Sequence, residues 1–313
     1  MYLKFFKDIS KKSVDIAGGK GASLGEMTKA GIPVPPGFVI LSSAFEQFIA
    51  DTDVNVEIDA SLDRVNHQDM NSVENASETI QAVIMKAQMP KSIAIEITAA
   101  FKKLKSPFVA VRSSATAEDG ATSAWAGQLD TYLNTTDTTL KKNVQRCWAS
   151  LFTPRAIFYR FEKNLHKEKI SVAVVVQKMV QSESAGVAFS VHPVTQDRNQ
   201  MIIEAGWGLG EAVVSGQITP DSYVIDKRDW TLLDVNVSEQ EKELVKKGKE
   251  GSAWKAIRAT RKNSQKLAGK EIIELAKLVV HIEKHYGFPC DIEWAREKKK
   301  YYITQSRPIT TLT

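Results

Sequence analysis

The two strand-like segments near the end of the chain restrict its fold more than any other feature. Asp291-Ile292-Glu293-Trp294-Ala295-Arg296 and Tyr301-Tyr302-Ile303-Thr304-Gln305 flank Lys298-Lys299-Lys300, a pattern that reads as an antiparallel hairpin with a basic turn. Side chains on a strand alternate between faces, so Asp291 and Glu293 share one face, as do Gln305 and Arg307. With the three lysines as a three-residue turn, Glu297 stands opposite Tyr301. That register carries back to Glu293 opposite Gln305 and Asp291 opposite Arg307, with Trp294 paired to Thr304 on the other face. Two carboxylates, an amide oxygen and a guanidinium then gather on one side of the hairpin. Such a set suits a magnesium–phosphate site, because magnesium takes hard oxygen ligands from one or two carboxylates, phosphate and water. Arginine adds a fixed charge for phosphate. A cross-strand Asp291–Arg307 ion pair on a solvated face accounts for the same residues without any ligand.

A hairpin needs a larger sheet to be stable. Val172-Ala173-Val174-Val175-Val176-Gln177 is a β-branched run of the kind covered on both faces. Residues 185–190, 201–205 and 222–226 read as further strands. Helical periodicity marks 79–88, 91–104, 139–166 with an interruption at Pro154, and 269–286. Residues 51–78 are polar and weakly periodic and read as an irregular excursion. A chain of 313 residues is long for one core. The change of character at Ser171 sets a boundary near 168, between an N-terminal part, 1–168, and a C-terminal part, 169–313.

Several loops carry residues suited to anions. Gly18-Gly19-Lys20-Gly21 places Lys20 in a glycine-rich turn before a helix, where open backbone N–H groups can meet a phosphate. Its spacing is not that of the Walker loop, and taken alone it fits a plain turn or helix start better. Arg112 directly follows the apolar strand Phe108-Val109-Ala110-Val111, so its guanidinium emerges at a strand end; an ordinary ion pair is the simpler reading. Gly127 and Thr131 suit a loop that caps phosphates, or simple turn chemistry. Gln177, Lys178, Met179 and Val180 end the strongest strand and resemble a hinge whose backbone reads an adenine edge, with Glu183 next in line for ribose hydroxyls. The same residues fit a strand leaving the core and a solvated carboxylate. Gly206-Trp207-Gly208-Leu209-Gly210-Glu211 matches the dinucleotide fingerprint poorly, since its third glycine comes one position early.

Composition serves mainly to exclude. The 42 basic and 37 acidic residues leave a net charge of +5, visible as short runs such as Lys246-Lys247 and Lys298-Lys299-Lys300. No continuous basic stripe marks a nucleic-acid binder, and these lysines read as solvated. Cys147 and Cys290 lie beside apolar stretches without CxxC spacing and read as packing residues. No apolar run reaches the length of a membrane span, and the first eight residues lack a signal-peptide pattern, so a cytoplasmic setting is expected. His192 has no glycine-rich frame for a phosphohistidine and reads as structural. His281 and His285 have i,i+4 spacing but no HExxH partner, which reads as a surface pair.

Taken together and in order, these segments are far more specific. Residues 18–27, Pro33-Val34-Pro35-Pro36-Gly37-Phe38 and Val111-Arg112-Ser113-Ser114-Ala115-Thr116-Ala117-Glu118-Asp119 resemble the nucleotide-binding domain of the phosphoenolpyruvate synthase and pyruvate phosphate dikinase family. The resemblance continues through residues 126–134 and 208–216 and closes with Asp291-Ile292-Glu293-Trp294 and Gln305-Ser306-Arg307-Pro308.

The resemblance implies an α+β, ATP-grasp-like fold of two lobes with ATP bound in the cleft between them. Lys20, Arg112 and Arg307 would hold the phosphates, while Glu293 and Gln305 would bind Mg2+ with support from Asp291. Gln177, Lys178, Met179 and Val180 would take adenine, and Glu183 the ribose. In this family the ATP β-phosphoryl group passes to a histidine on a swivelling domain and then to an acceptor domain. Neither is recognisable in this sequence, so both are expected as partners, on a longer polypeptide or on separate subunits. Pyruvate is the expected final acceptor. A rifampin-phosphotransferase-like antibiotic kinase would share the nucleotide site, and a non-catalytic ATP-binding module is the reading from another class.

Overall fold

In the computed structural model, which describes residues 1–116, 130–163, 165, 171–310 and 312, the chain divides into two units. One comprises Met1–Glu26 with Pro36–Met179, the other Met27–Pro35 with Val180–Thr313. The first part of the chain forms β1 (Leu3–Phe5), α1 (Val14–Lys29), β2 (Gly37–Ile40), α2 (Ser42–Thr52), α3 (Val54–Asp63), α4 (Met70–Lys86) and α5 (Lys91–Leu104). It continues through β3 (Val109–Ala115), β4 (Thr131–Thr135), α6 (Asp137–Ala149), α7 (Pro154–Glu162) and β5 (Val172–Lys178).

The strands of the first unit form one sheet in the order β1-β2-β5-β3-β4, every pairing antiparallel. The β-branched run is its middle strand, and Val172 through Val176 are wholly buried, as a strand covered on both faces requires. β5 therefore belongs with the N-terminal elements although it follows residue 168, and the change of unit falls between Met179 and Val180. Helices α2 and α6 pack against it, and Trp148 of α6 fills the space between them, its ring 5.9 Å from Phe45 and 4.9 Å from Phe48. Burial of side chains this large contributes roughly 1.5–3 kcal/mol each.

Residues 51–78 are not irregular. α3 turns Val54 and Ile58 inward, and α4 does so with Val73, Ala76, Ile80 and Ile84. Those few apolar residues at helical spacing are surrounded by polar ones, which hides the period in the sequence. Asp69 starts α4 by accepting a hydrogen bond from the Asn71 N–H at 3.0 Å.

The second unit is built from β6 (Ser184–Phe189), β7 (Gln200–Trp207), α8 (Glu211–Val214), β8 (Asp221–Asp226), β9 (Leu232–Asn236), β10 (Lys242–Lys246) and β11 (Ser252–Ala256). The final elements are α9 (Ala259–Lys262), α10 (Gly269–Tyr286), β12 (Cys290–Glu297) and β13 (Lys300–Pro308). Six strands make an antiparallel sheet in the order β13-β12-β6-β7-β8-β9, and β10 and β11 form a separate two-stranded ribbon. α10 buries Ile272, Leu275, Ala276, Val279 and Ile282 and packs on β7 and β12. The strand residues facing that core, among them Ile203, Tyr223, Ile292 and Trp294, are almost entirely buried. The opposite face of the sheet carries the polar residues of the hairpin. Antiparallel sheets with helices laid against them make the chain an α+β protein. Among the described residues no helix is long and apolar enough to cross a membrane.

Candidate functional site

The hairpin reaches its expected register by an unexpected route. Its turn has two residues, not three: Lys298 and Lys299 both have positive φ, 51° and 64°, which matches a type I′ hairpin turn. Glu297 consequently pairs with Lys300 rather than Tyr301, and Trp294 pairs with Ile303 rather than Thr304. A register shift between Glu293 and Trp294 leaves Thr304 as the extra residue of a β-bulge, its hydroxyl donating to the Glu293 carbonyl at 3.2 Å. Beyond the bulge, Glu293 stands opposite Gln305 and Asp291 opposite Arg307.

These four residues occupy the sheet face away from α10. Arg307 donates through Nε to Asp291 Oδ2 at 2.8 Å, and its Nη2 lies 2.8 Å from the same oxygen. Asp291 is half-buried, and burial pushes its carboxyl above the ordinary value. The Arg307 charge and hydrogen bond pull it back, and the neighbouring Glu293 pushes it up again. Continuing across the sheet, Glu293 pairs with Val187 and Val187 with Glu204, so Glu204 is a third carboxylate on this face. Burial and then the charge of Asp291 raise its proton affinity. The sequence reading missed Glu204, although the buried alternation of Met201, Ile203 and Ala205 turns it to the opposite face.

Half-buried carboxylates whose charges oppose one another suit a cation. Among the described residues no group of three or more His, Cys, Asp or Glu is drawn together tightly enough to hold a metal alone. Asp291, Glu293 and the amide of Gln305 are instead a partial oxygen set, of the kind magnesium completes with phosphate oxygens and water.

In the first unit, three expected anion-binding residues lie on adjoining elements. Gly18 breaks α1 with φ 67°, and Lys20 follows on the new helical turn. The break is seated on Ser114, whose hydroxyl donates to the Ala17 carbonyl at 3.1 Å and accepts from the Gly21 N–H at 3.4 Å. A Cβ on Gly18 would lie 2.2 Å from Ser114 Oγ and 2.4 Å from its carbonyl oxygen, so only glycine fits. Ser114 and Arg112 are two apart on β3 and share a face, which brings the Lys20 turn to the face of Arg112. Arg112 does not emerge at a strand end as expected, because β3 runs on to Ala115; it lies within the strand, is the register partner of Thr131 and is buried. The preceding residue, Asp130, is fixed by Ser113, whose N–H and hydroxyl both donate to its carbonyl at 3.1 and 2.8 Å. Gly127 lies outside the described residues.

Gln177, Lys178 and Met179 close the first unit and Val180 opens the second. Gln177 is buried between Gly37 and Ala110. Lys178 and Met179 donate their backbone N–H groups to the carbonyls of Pro36 and Phe108 at 2.8 and 3.0 Å. In the second unit Val180 packs with Ala185, Ala295 and Tyr302. Glu183 is exposed, with its backbone held by Arg296 and Gly208 at 2.9 and 3.2 Å. His192 is structural, since Nδ1 accepts from the N–H groups of Val194 and Thr195 at 3.3 Å. Cys147 and Cys290 are buried free thiols, each pushed up to about 12 by burial, which makes them inert packing residues.

The sequence matches pyruvate phosphate dikinase, AMP/ATP-binding domain, over residues 14–313. It is 45% identical over 318 residues to a probable phosphoenolpyruvate synthase of Methanocaldococcus jannaschii, covering 99% of this chain and 27% of that protein. Against the phosphoenolpyruvate synthase of Pyrococcus furiosus the identity is 40% over 359 residues, covering 99% of this chain and 44% of the synthase. A probable phosphoenolpyruvate synthase of Archaeoglobus fulgidus is 44% identical over 319 residues, covering 100% and 42%. The chain thus spans less than half the length of these relatives.

Proposed function

The chain belongs to the AMP/ATP-binding domain family of pyruvate phosphate dikinase, and from that premise we propose that it is the ATP-binding part of a phosphoenolpyruvate-synthase-like dikinase. The observation that carries this reading is the register setting Asp291 and Glu293 against Arg307 and Gln305 on the open sheet face. In this proposal the fold is ATP-grasp-like and both units contribute to the nucleotide site. Lys20 and Arg112 from the first unit and Arg307 from the second neutralise the phosphate chain. Thr131 and Gly127 cap the phosphates, the backbone of Gln177, Lys178, Met179 and Val180 takes the adenine edge, and Glu183 the ribose. Glu293 and Gln305 hold Mg2+, with Asp291 in support.

The reaction proposed is transfer of the β-phosphoryl group to a histidine nitrogen on a partner domain. The bond between the β-phosphorus and the α–β bridging oxygen breaks, a phosphorus–nitrogen bond forms, and AMP leaves. Water attacks the γ-phosphorus, its bond to the β–γ bridging oxygen breaks with that oxygen staying on the β-phosphorus, and inorganic phosphate leaves. Held by Glu293 and Gln305, Mg2+ would supply charge neutralisation for the phosphates. The protein's own part is to fix the phosphates in line and to hold cations where negative charge develops. The phosphohistidine then serves an acceptor domain, with pyruvate the proposed acceptor and phosphoenolpyruvate the product. The names of the similar synthases support that route.

Calorimetric titration of the chain with ATP and Mg2+ tests the reading, beside Glu293→Ala and Lys20→Ala. Saturable binding that requires Mg2+ and weakens in both variants is expected. Binding by a folded chain that ignores Mg2+ and both substitutions would sink the assigned site.

A further inference from the structure

Spread over 21 residues, from the start of β10 to the end of α9, lie eight basic side chains and only two acidic ones. This excess of six exceeds the +5 of the whole chain, so the remainder of the protein is close to neutral. The segment folds as the two-stranded β10–β11 ribbon followed by α9. Its base is fixed. Gly208, at φ 88°, forms a parallel bridge with Leu244, and the Leu209 N–H donates to the Leu244 carbonyl at 2.8 Å.

Of the two acidic residues, Glu250 is exposed in the turn between the strands and Glu243 is turned inward and matched; Glu241, just before the ribbon, pairs with Lys262 at 3.6 Å. Glu243 is 8% exposed, with Arg261 at 3.4 Å and Lys255 at 4.0 Å. Arg261 also lies over the Trp207 ring at 3.8 Å. Lys242, Lys246, Lys247, Lys249 and Arg258 are exposed, and so is Trp254, at 37%.

We propose that the β10–β11 ribbon is a docking surface for an acidic protein partner, whose carboxylates meet the ribbon lysines while an apolar group seats beside Trp254. Charge complementarity identifies the partner, since an excess this concentrated attracts an Asp- and Glu-rich surface and speeds encounter with it. Trp254 separates a protein from a single-stranded nucleic acid. Lys242 Nζ lies 4.4 Å from its ring centroid and covers one of its two faces, which leaves less of the ring for a base to stack on. An exposed tryptophan beside a lysine is also an anchor type favoured at protein interfaces.

The test uses fluorescence anisotropy of the whole chain against labelled poly-L-glutamate and a labelled single-stranded RNA of equal charge. Poly-L-glutamate should bind more tightly than the RNA, with an affinity that falls as salt rises. Lys247→Glu/Lys249→Glu, at the exposed turn, should weaken that binding roughly tenfold, and Arg258→Glu should weaken it separately. Both variants should keep the wild-type melting temperature and ATP affinity. RNA bound as tightly as poly-L-glutamate would overturn the proposal in favour of a nucleic-acid surface. Binding of neither probe, or binding that both variants leave unchanged, would overturn it in favour of solvated lysines.

Discussion

Glu293 faces Gln305 across the β12–β13 ladder only because Thr304 is looped out beside them. With a two-residue turn and no bulge, Glu293 would meet Thr304, and Gln305 would swing to the α10 face. The bulge restores the parity that the short turn removes. Deleting Thr304 should therefore leave Glu293 opposite Gln305 on the open face, now in a regular ladder. Mg2+-dependent ATP affinity, measured by calorimetry, should change by less than about threefold, which is under 1 kcal/mol. A loss of binding in a folded deletion variant would mean that the bulge itself shapes the site.

Gly18→Ala should be among the most damaging single substitutions in the first unit. The new methyl group would meet the Ser114 hydroxyl and carbonyl at 2.2 and 2.4 Å, at a backbone φ of 67° that alanine disfavours. A left-handed alanine alone costs of order 1–3 kcal/mol, and the clash adds to it. Urea unfolding should show the loss. Ser114→Gly in the same chain should recover only part of it, because the carbonyl and the φ angle remain.

Much of the fold was legible because its signals are local. α5 and α10 follow their 3.6-residue periods to the predicted ends, and β5 reads as buried from its valines. The site face was legible for a different reason. Parity along a strand depends only on counting, and two miscounts of one residue, at the turn and at Thr304, cancelled. What escaped depends on partners distant in sequence. Glu204 gains its setting from β6 and β12, and the unit boundary at Val180 follows from β5 pairing with β2 and β3. Local composition also misled the reading at α3 and α4, where polar residues outnumber the apolar ones that face the core.

Lys266 and Asp221 are a further long-range pair, both wholly buried, with Nζ and Oδ1 2.8 Å apart. Asp221 also accepts from the Ser238 N–H, the Lys266 N–H and the Tyr223 hydroxyl at 3.0, 2.8 and 2.7 Å. Lys266→Met would leave a buried carboxylate without its counter-charge, which costs on the order of 3–5 kcal/mol. Chemical denaturation should register that loss. Asp221→Asn/Lys266→Met should be less destabilised than Lys266→Met alone, since the double variant leaves no unmatched charge. Equal stability of the two variants would show that the hydrogen bonds to Asp221 matter more than the ion pair.

The open sheet face gives the second unit a pH dependence of definite sign. Burial raises the proton affinity of Glu204 and of Asp291, so the folded state holds these protons more tightly than the unfolded chain. Their effect on stability is therefore unfavourable as pH climbs from the ordinary carboxylate values of 4.5 and 3.8 through the raised ones, and constant above them. Asp226 acts in the opposite sense. Hydrogen bonds from Arg228 lower it to about 2, so its contribution is present above its ordinary 3.8 and is lost as pH falls toward 2. Comparing a variant with wild type at the same pH cancels the Asp226 contribution. Glu204→Gln should then raise the melting temperature at pH 7, where burial disfavours the ionised form of wild-type Glu204. The gain should shrink toward zero at pH 4, where the wild-type side chain is largely protonated. Equal shifts at both pH values would show that the charge on Glu204 does not oppose folding. A gain at pH 7 that disappears when Mg2+ is added to wild type and variant alike would tie the repulsion on this face to the cation proposed for it.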